Sequence, residues 1–479
     1  MRQLVLFLVT SAMAFAHVGS PDVFYEGNAG PYRLLVTIRP PVVIPGVAEV
    51  EVRSTSNDVR EVRVVPLPLR GPGAKFAPTA DIAQRSKDDP QFYTGSLWMM
   101  AFGSWQVRVR ADGAQGSGEM SIPVPALATR AATMQKGLGA GLFGLMLFLV
   151  VGIVSIVGAG AREAQLEPGV EPAERNRKRA AVVMVVTLVL VVGAVYLGDK
   201  WWGSEANNYA QNTYKPVQMT ATVENGGKLV LRLEDTGFFR RNKLDDLIPD
   251  HGHLMHMYVV SAPAMDRVWH LHPDQSEPGT FQMNLPAMPA GRYRLFADIV
   301  HASGIPETGT AEIEIPQIAG AAPGPDDAAG AGSAVGQADF NRTVSPLSGG
   351  YRMVWVRESA PMRAKRTELF HFRVEDADGK PAGDMELYMG MPGHAAFVRD
   401  DFQVFAHVHP SGSAPMAAVH MAAEQVSGGM AGMHTMPSAG MPAEVAFPWG
   451  FPQPGGYRIF VQVKRAGKVE TGIFDTRVE

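Results

Sequence analysis

The chain has 479 residues, which is long enough for several domains rather than one hydrophobic core. Its formal net charge of -4 is close to neutral and gives no electrostatic reason to expect a nucleic-acid partner. It contains no cysteine, which excludes disulfides and the cysteine-ligated copper site of electron-transfer proteins.

The N-terminal segment is typical of a secretory signal. Arg2 precedes an apolar run over residues 4–15, which ends in the small-x-small triplet AFA and is short for a spanning helix. We predict a signal peptide over residues 1–16, cleaved to leave His17 first. A terminal His offers an amine and a ring nitrogen to copper, although a simple cleavage-site residue explains His17 equally well.

Two later apolar runs predict transmembrane helices over residues 137–159 and 180–199. The loop between them, residues 160–179, is rich in Arg and Lys, so we expect it to be cytoplasmic and both flanks to be extracytoplasmic. This predicts a protein of the cell inner (cytoplasmic) membrane with two spans and its large domains on the periplasmic or extracytoplasmic side. Neither run contains an ionisable residue, which favours an anchor over a pump.

The rest of the chain reads as β-structure. Short runs with period-two alternation, such as YRLLVTIRP, KLVLRLED and YRIFVQVK, are bounded by Gly, Pro, Asn and Asp. We predict a mainly β fold with three immunoglobulin-like β-sandwich domains over residues 17–133, 214–316 and 340–479. The Ala/Gly/Pro-rich residues 317–339 predict a flexible linker.

The second and third of these segments share an internal repeat. WHLHP and MPAGRYRLF in one correspond to FAHVHP and QPGGYRIF in the other. Residues i and i+2 of a strand point to one face, so His270 pairs with His272 and His407 with His409. His251 and His253 form a third pair if that stretch is extended. Paired imidazoles predict a metal site, for which copper, zinc, nickel and iron all remain open.

Methionine residues beside these histidines favour copper. Met255 adjoins His256, and thioether sulfur prefers Cu(I) to Zn(II). An insertion over residues 411–442 is rich in Met and His and reads as a loop rather than a packed segment. A low-complexity insertion with incidental Met is the alternative. The predicted ligands in the insertion are His420, Met421, Met433, His434 and Met436.

The motifs MGMPGHAAFV, FAHVHP and QPGGYRIFVQV resemble those of secreted or membrane-anchored bacterial β-sandwich proteins. The first segment, with SWQVRVRADGAQGSGEMSIPV before a span, is similar to YtkA-like and FixH-like domains, which are often grouped with CopC-type copper proteins. This resemblance implies copper handling, for resistance or for delivery to respiratory oxidases. Carried over by motif, the ligands it implies are His270, His272, His394, His407 and His409.

The sequence therefore predicts a membrane-anchored periplasmic copper-binding protein without enzymatic turnover. Its partners would be the membrane and an envelope protein or oxidase subunit that accepts copper. The main alternative is an envelope adhesion or assembly module with structural or pH-responsive histidines and no metal. A copper enzyme is a third alternative, and the missing cysteine counts against an oxidase of the electron-transfer type.

Overall fold

A computed structural model describes residues 21–167, 169–224, 226–234, 236, 244–357, 360–427 and 441–479. The predicted signal peptide, His17, Met433, His434 and Met436 lie outside the described residues. The chain forms two compact units, one made of Met1–Leu127 with Lys215–Glu479 and the other of Ala128–Tyr214.

The unit Ala128–Tyr214 contains two long helices, α1 (Lys136–Glu163) and α2 (Glu174–Gln211). Both are long and apolar enough to cross a membrane, as predicted. Each extends beyond its predicted limits, because the flanking polar residues continue the helical backbone. The two helices pack closely at Gly158, where a side chain would overlap Met184.

The other unit is mainly β, as predicted, and its described strands form six antiparallel sheets. The first segment contributes two sheets, ordered β1-β2-β3-β7-β6 and β5-β4-β8-β9. Its strands are β1 (Val23–Ala29), β2 (Tyr32–Arg39), β3 (Gly46–Ser54), β4 (Val59–Pro68), β5 (Asp81–Ile82), β6 (Gln84–Arg85), β7 (Phe92–Met99), β8 (Gly103–Gly113) and β9 (Gly116–Ala126), with a 3-10 turn at Pro72–Lys75.

The second segment contributes the sheets β10-β11-β15-β14 and β17-β16-β12-β13-β18, and the latter is called the β12 sheet below. Its strands are β10 (Gln218–Glu224), β11 (Lys228–Glu234), β12 (His256–Ala262), β13 (Arg267–Leu271), β14 (Asp274–Glu277), β15 (Thr280–Asn284), β16 (Gly291–Val300), β17 (Pro306–Ile315) and β18 (Ala328–Ala331).

The third segment contributes the sheet β19-β20-β21-β25 and the β23 sheet, which is ordered β22-β26-β23-β24 with β27 paired to β26. Its elements are β19 (Val344–Pro346), β20 (Arg352–Val356), β21 (Thr367–Glu375), β22 (Met385–Glu386), β23 (His394–Arg399), β24 (Phe405–Val408), α3 (Met416–Ser427), β25 (Glu444–Gly450), β26 (Gly455–Arg465) and β27 (Lys468–Val478), and 3-10 turns lie at Val335–Gln337 and Ser348–Gly350.

Two predictions about irregular segments need correction. The residues 317–339 expected to be a flexible linker contain β18, which pairs with β13 along its full length. The small side chains of AAGA make this pairing possible, since Gly330 lies directly against Thr471 of β27. The start of the 411–442 insertion is also ordered, because α3 buries Ala418 and Ala422 completely.

The β12 sheet and the β23 sheet pack against each other through their outer faces. Alternate residues of β12 divide between two environments: Met257 and Val259 enter the core of the second segment, while Tyr258 and Val260 face the third. This is why β12 is buried on both sides rather than alternating between buried and exposed residues. The shared apolar cluster consists of Tyr258, Val260, Met265, Val268, Phe296, Ala396, Val398, Phe405, Phe460 and Ile473.

The first segment contacts the third beside the predicted His-x-His pair of β24. Ser413 donates its backbone N–H to the carbonyl of Phe24, and the Phe24 ring lies in the core of the third segment. Gly412 has a φ of 130°, and a side chain there would overlap the Phe24 backbone. Residues 411–413 are therefore held against β1.

Candidate metal centre

Eight of the 13 histidines meet at one end of the junction between the β12 sheet and the β23 sheet. Their rings form a continuous network of contacts, with centroid separations of 4.1 to 6.1 Å. We call this group the histidine cluster, and its members are His251, His253, His256, His270, His272, His394, His407 and His409.

Strand alternation explains how the cluster forms. In both sheets the residues adjacent to each histidine enter that segment's own core, as Met257, Leu271, Ala395 and Val408 do. The histidines therefore point outward, toward the facing sheet. In a protein with one sandwich this face would be solvated. Here the opposing sheet covers it and buries the imidazoles.

Within the cluster, His256, His270 and His272 form site A. Each offers one ring nitrogen, and these atoms lie within 4.8 Å of one another. The Nδ1 of His256 is 3.2 Å from the Nε2 of His270 and 3.2 Å from the Nε2 of His272.

The outer nitrogens of site A all face hydrogen-bond acceptors. The Nε2 of His256 is 2.9 Å from the carbonyl of Asp250, and the Nδ1 of His270 is 2.9 Å from the Gln462 side-chain oxygen. The Nδ1 of His272 is 3.0 Å from a carboxylate oxygen of Asp327. Each ring consequently carries its proton outward, and three lone pairs point at one another.

Electrostatics keeps these rings neutral. Burial lowers the pKa of His256 and of His270 well below the ordinary value, and the neighbouring His272 lowers both further. Burial also lowers the pKa of His272, although its hydrogen bond to Asp327 opposes the shift. A proton shared among the three inner nitrogens is therefore disfavoured at neutral pH.

A second triad, site B, consists of His251, His394 and His409, whose ligand atoms also lie within 4.8 Å of one another. It joins two segments, because His251 precedes β12 whereas the other two belong to the β23 sheet side of the junction. Burial lowers the pKa of His394 well below its ordinary value and that of His409 to about 4.

His407 lies between the two triads. Its ring centroid is 5.4 Å from those of His256 and His270, and 5.4 and 4.7 Å from those of His394 and His409. Its Nδ1 is 3.4 Å from a carboxylate oxygen of Asp298.

Asp298 lies on β16, and burial raises its pKa to about 7. A carboxylate that holds the outer nitrogen of an imidazole is a common way to orient a metal ligand.

His253 occupies the margin of the cluster. Its ring stacks on His272 at 4.1 Å, and its Nε2 is 3.3 Å from a carboxylate oxygen of Asp326. Its side chain remains 28% exposed. It belongs to neither triad.

Met255, one of the predicted methionine ligands, does not reach the cluster. Met255 is completely buried in the apolar core of the second segment, on the same side as Met257. The prediction of Met255 as a ligand is wrong for a simple reason: neighbours in an extended chain point to opposite faces, so Met255 and His256 diverge.

The two predicted ligands on α3, His420 and Met421, belong to neither triad. His420 is exposed on α3 and makes no ring contact with the cluster among the described residues, although its charge is one of the influences that lower the pKa of His251. Met421 lies near Gly304. α3 itself is anchored to the site, because the Ala417 N–H donates to the Asp250 carboxylate at 2.7 Å.

Sequence reasoning missed the acceptors around the rings: Asp250, Asp298, Asp327, Gln462 and Tyr388. The Tyr388 hydroxyl lies 3.2 Å from the Nδ1 of His270 and donates to the Asp326 carbonyl at 2.8 Å. Asp326 and Asp327 are the only acidic residues of the stretch 317–337. That isolated pair is the one signal that could have indicated them.

A family model described as "Domain of unknown function (DUF8832)" matches residues 210–316 and 346–479 of the chain. These ranges include every histidine of the cluster. No curated protein matches the chain.

Similarity to solved structures is weak. An engineered protein is 18% identical over 19% of this chain and 20% of its own, with a TM-score of 0.16. A tetra-tandem repeat from the extending region of a large adhesion protein is 8% identical over 91% of this chain and 71% of its own, also at 0.16. The native form of Escherichia coli alpha-2-macroglobulin is 9% identical over 96% and 23%, at 0.21. None of these likenesses carries an argument about this chain.

Proposed function

The chain belongs to the DUF8832 family, and we propose that it is a membrane-anchored copper-binding protein that holds the ion at site A. The observation that carries this proposal is the convergence of three lone pairs from His256, His270 and His272. When each outer nitrogen donates its proton to its acceptor, only lone pairs remain at the inner nitrogens, which lie 3.2 Å apart without a proton between them. A cation satisfies all three.

The surrounding shell supports a metal site rather than a group of structural histidines. Metal-bound imidazoles usually donate their other N–H to a carboxylate or carbonyl, which fixes the ring and raises its basicity. Asp327, Gln462 and the carbonyl of Asp250 provide such acceptors. The low pKa values of His256 and His270 keep the inner nitrogens free of competing protons.

Copper is the metal that the donor set favours. Three imidazole nitrogens suit copper, zinc, nickel and iron, and among divalent ions nitrogen sites generally bind Cu(II) most strongly. The argument from methionine to Cu(I) loses Met255, which lies in the core. The proposal for copper therefore depends on the imidazoles, and zinc is the competitor to exclude.

Cellular placement is part of the same proposal. We take α1 and α2 as inner-membrane spans with the basic loop in the cytoplasm, and the β-rich unit as three immunoglobulin-like sandwiches on the periplasmic side. From this position the protein would serve copper homeostasis or deliver copper to an envelope protein or an oxidase under assembly. The resemblance to YtkA-like, FixH-like and CopC-type proteins favours these roles.

The test uses the full chain in detergent, because Phe24 of the first segment completes the core of the third. The metal-free protein is titrated with Cu(II) and, separately, with Zn(II) in the presence of a competing chelator. The site-A variant is His270→Leu, which removes one ligand and leaves an apolar side chain of similar size. The matched control is His371→Leu, since His371 is a half-exposed histidine paired with Glu444 on another sheet.

We expect saturable copper binding that exceeds zinc binding, with an affinity at least 100-fold lower at site A in His270→Leu and unchanged in His371→Leu. Stronger zinc binding would redirect the proposal to zinc. Absence of metal binding in a folded protein would refute it and would favour the envelope assembly module with structural histidines.

A further inference from the structure

Site B is not used by the proposed function. Five buried ring nitrogens at site B and the neighbouring His407 have no hydrogen-bond partner among the described residues, and four of them are the Nε2 atoms of His251, His394, His407 and His409. His394 also leaves its Nδ1 unpartnered, and its side chain is completely buried. A buried polar atom without a hydrogen-bond partner typically costs about 1–3 kcal/mol, so five such nitrogens in one place require an explanation.

We infer that site B takes a second metal ion, so that the histidine cluster is a binuclear centre with His407 between the two ions. This inference rests on the proposed function, since it extends metal binding from site A to site B. The ligands of the second ion are His251, His394 and His409, and the ion belongs to the same class of imidazole-preferring transition metals.

The hydrogen-bonding state of the rings favours a cation over water. The Nδ1 atoms of His407 and His409 face the acceptors Asp298 and the Ala414 carbonyl, at 3.4 Å each, and a hydrogen bond to the Met389 backbone holds His251. The rings of His251, His407 and His409 therefore present lone pairs at their Nε2 atoms, and His394 adds a ring that has no partner at either nitrogen. A water molecule has two hydrogens to donate, which is fewer than the lone pairs that meet here. A metal ion accepts all of them.

The two sites differ in how they are assembled. The site A ligands all come from the second segment, whereas site B combines His251 of the second segment with His394 and His409 of the third. A metal ion in site B therefore links the two segments directly. Because binding to the folded state alone stabilises it, occupancy of site B should stabilise the packing of the β12 sheet on the β23 sheet.

The position of His407 makes the two ions neighbours. Its ring lies within 5.4 Å, centroid to centroid, of two ligands of each site. Two Cu(II) ions held by triads that share this neighbour would lie close enough for their unpaired electrons to interact.

The experiment measures copper stoichiometry and electron paramagnetic resonance on the full chain loaded with Cu(II). We expect about two copper ions per chain and a resonance intensity clearly below the copper content, because the two spins are coupled. His394→Leu should reduce the stoichiometry to about one and restore an intensity equal to the copper content. His371→Leu should behave as the wild type does.

The possible failures are distinguishable. One copper ion per chain in both the wild type and His394→Leu, lost in His270→Leu, would overturn this inference and leave the proposed function intact. Two ions with fully independent signals would overturn the binuclear arrangement. Absence of copper binding would refute both.

A folding control completes the test. Circular dichroism of the metal-free variants establishes that each is folded before loading. If His394→Leu does not fold, His251→Leu replaces it, because His251 is only half-buried and belongs to the same triad. The expected stoichiometry and intensity are then the same.

Discussion

Site A and site B use the same side chain but are stabilised in different ways. At site A every outer ring nitrogen has an acceptor, and all three ligands belong to one segment. At site B, His394 has no partner for either ring nitrogen among the described residues, and the ligands come from two segments. The comparison indicates that site A is largely preorganised by its surroundings, with Gln462 as its one acceptor from the facing sheet, whereas site B needs the packing of two sheets to bring its ligands together.

We expect the largest difference between the two sites when the packing of the β12 sheet on the β23 sheet is disrupted. Arg458 and Asp475 form a buried ion pair, 2.8 Å apart, and Arg458 also donates to the carbonyls of Met265 and Ser333 across the junction. Asp475→Asn leaves the guanidinium without its counter-charge and should cost about 3–5 kcal/mol. We expect a lower urea midpoint and loss of copper from site B before site A.

The control is the double variant Arg458→Met with Asp475→Leu, which removes both charges and should stay close to the wild type in stability. Equal weakening of the two sites in Asp475→Asn would contradict the view that site B depends on the junction more than site A does.

Removing an acceptor that surrounds site A should have a smaller effect, and it should weaken copper binding at site A rather than at site B. Asp327→Ala removes the acceptor of His272, so the ring loses its fixed orientation. We expect copper affinity at site A to fall about 10- to 100-fold, with site B unchanged.

The matched control for this change is Asp326→Ala, because Asp326 contacts His253 outside both triads. Its effect on affinity should be much smaller. Competition titrations of both variants check this, and equal losses would show that the adjacent acidic pair acts only through its charge.

The smallest effect is expected at a histidine outside the cluster. His301 contacts Glu307 at 2.9 Å and Asp246 at 2.8 Å, and the chain from Asp246 leads into His251 of site B. Burial lowers the pKa of His301, but these two carboxylates outweigh it and the net pKa is raised. The stabilisation is therefore fully present below about pH 6.5, the ordinary value, and is lost as pH rises through the raised pKa.

His301→Gln should lower the Tm by about 2–4 °C at pH 6, the equivalent of about 1 kcal/mol, and by less at pH 9. Thermal melts of the metal-free variant and wild type across this range measure the difference. A loss that grows with pH would mean that His301 is neutral in the folded protein. Any effect on copper should appear at site B alone.

Much of the candidate site was predictable from local pattern. The pairs His270 with His272 and His407 with His409 follow from period-two geometry, and the repeat indicates that both occupy equivalent strands. The same rule, applied to β12, separates Met255 from His256 and would have excluded that methionine.

The acceptors were less accessible to sequence reasoning. Asp327 lies in an Ala/Gly/Pro-rich stretch whose composition favours a linker, and it reaches His272 only because β18 pairs with β13. Gln462 lies about 190 residues from His270 along the chain and meets it only through sheet packing. Apart from the isolated acidic pair at Asp326 and Asp327, neither contact has a local signature.

By itself, the sequence determined the two apolar helices, the β-rich character of the remainder and the placement of each histidine pair on one face of its strand. These are properties of neighbours in the chain, governed by hydrophobic periodicity and by the alternation of side chains along a strand. Only the tertiary structure decided that the β12 sheet faces the β23 sheet, and hence that eight imidazoles from two segments meet in one buried cluster. Burial by a distant sheet lowers the pKa of the rings in both triads and makes their lone pairs converge, and no local pattern encodes it.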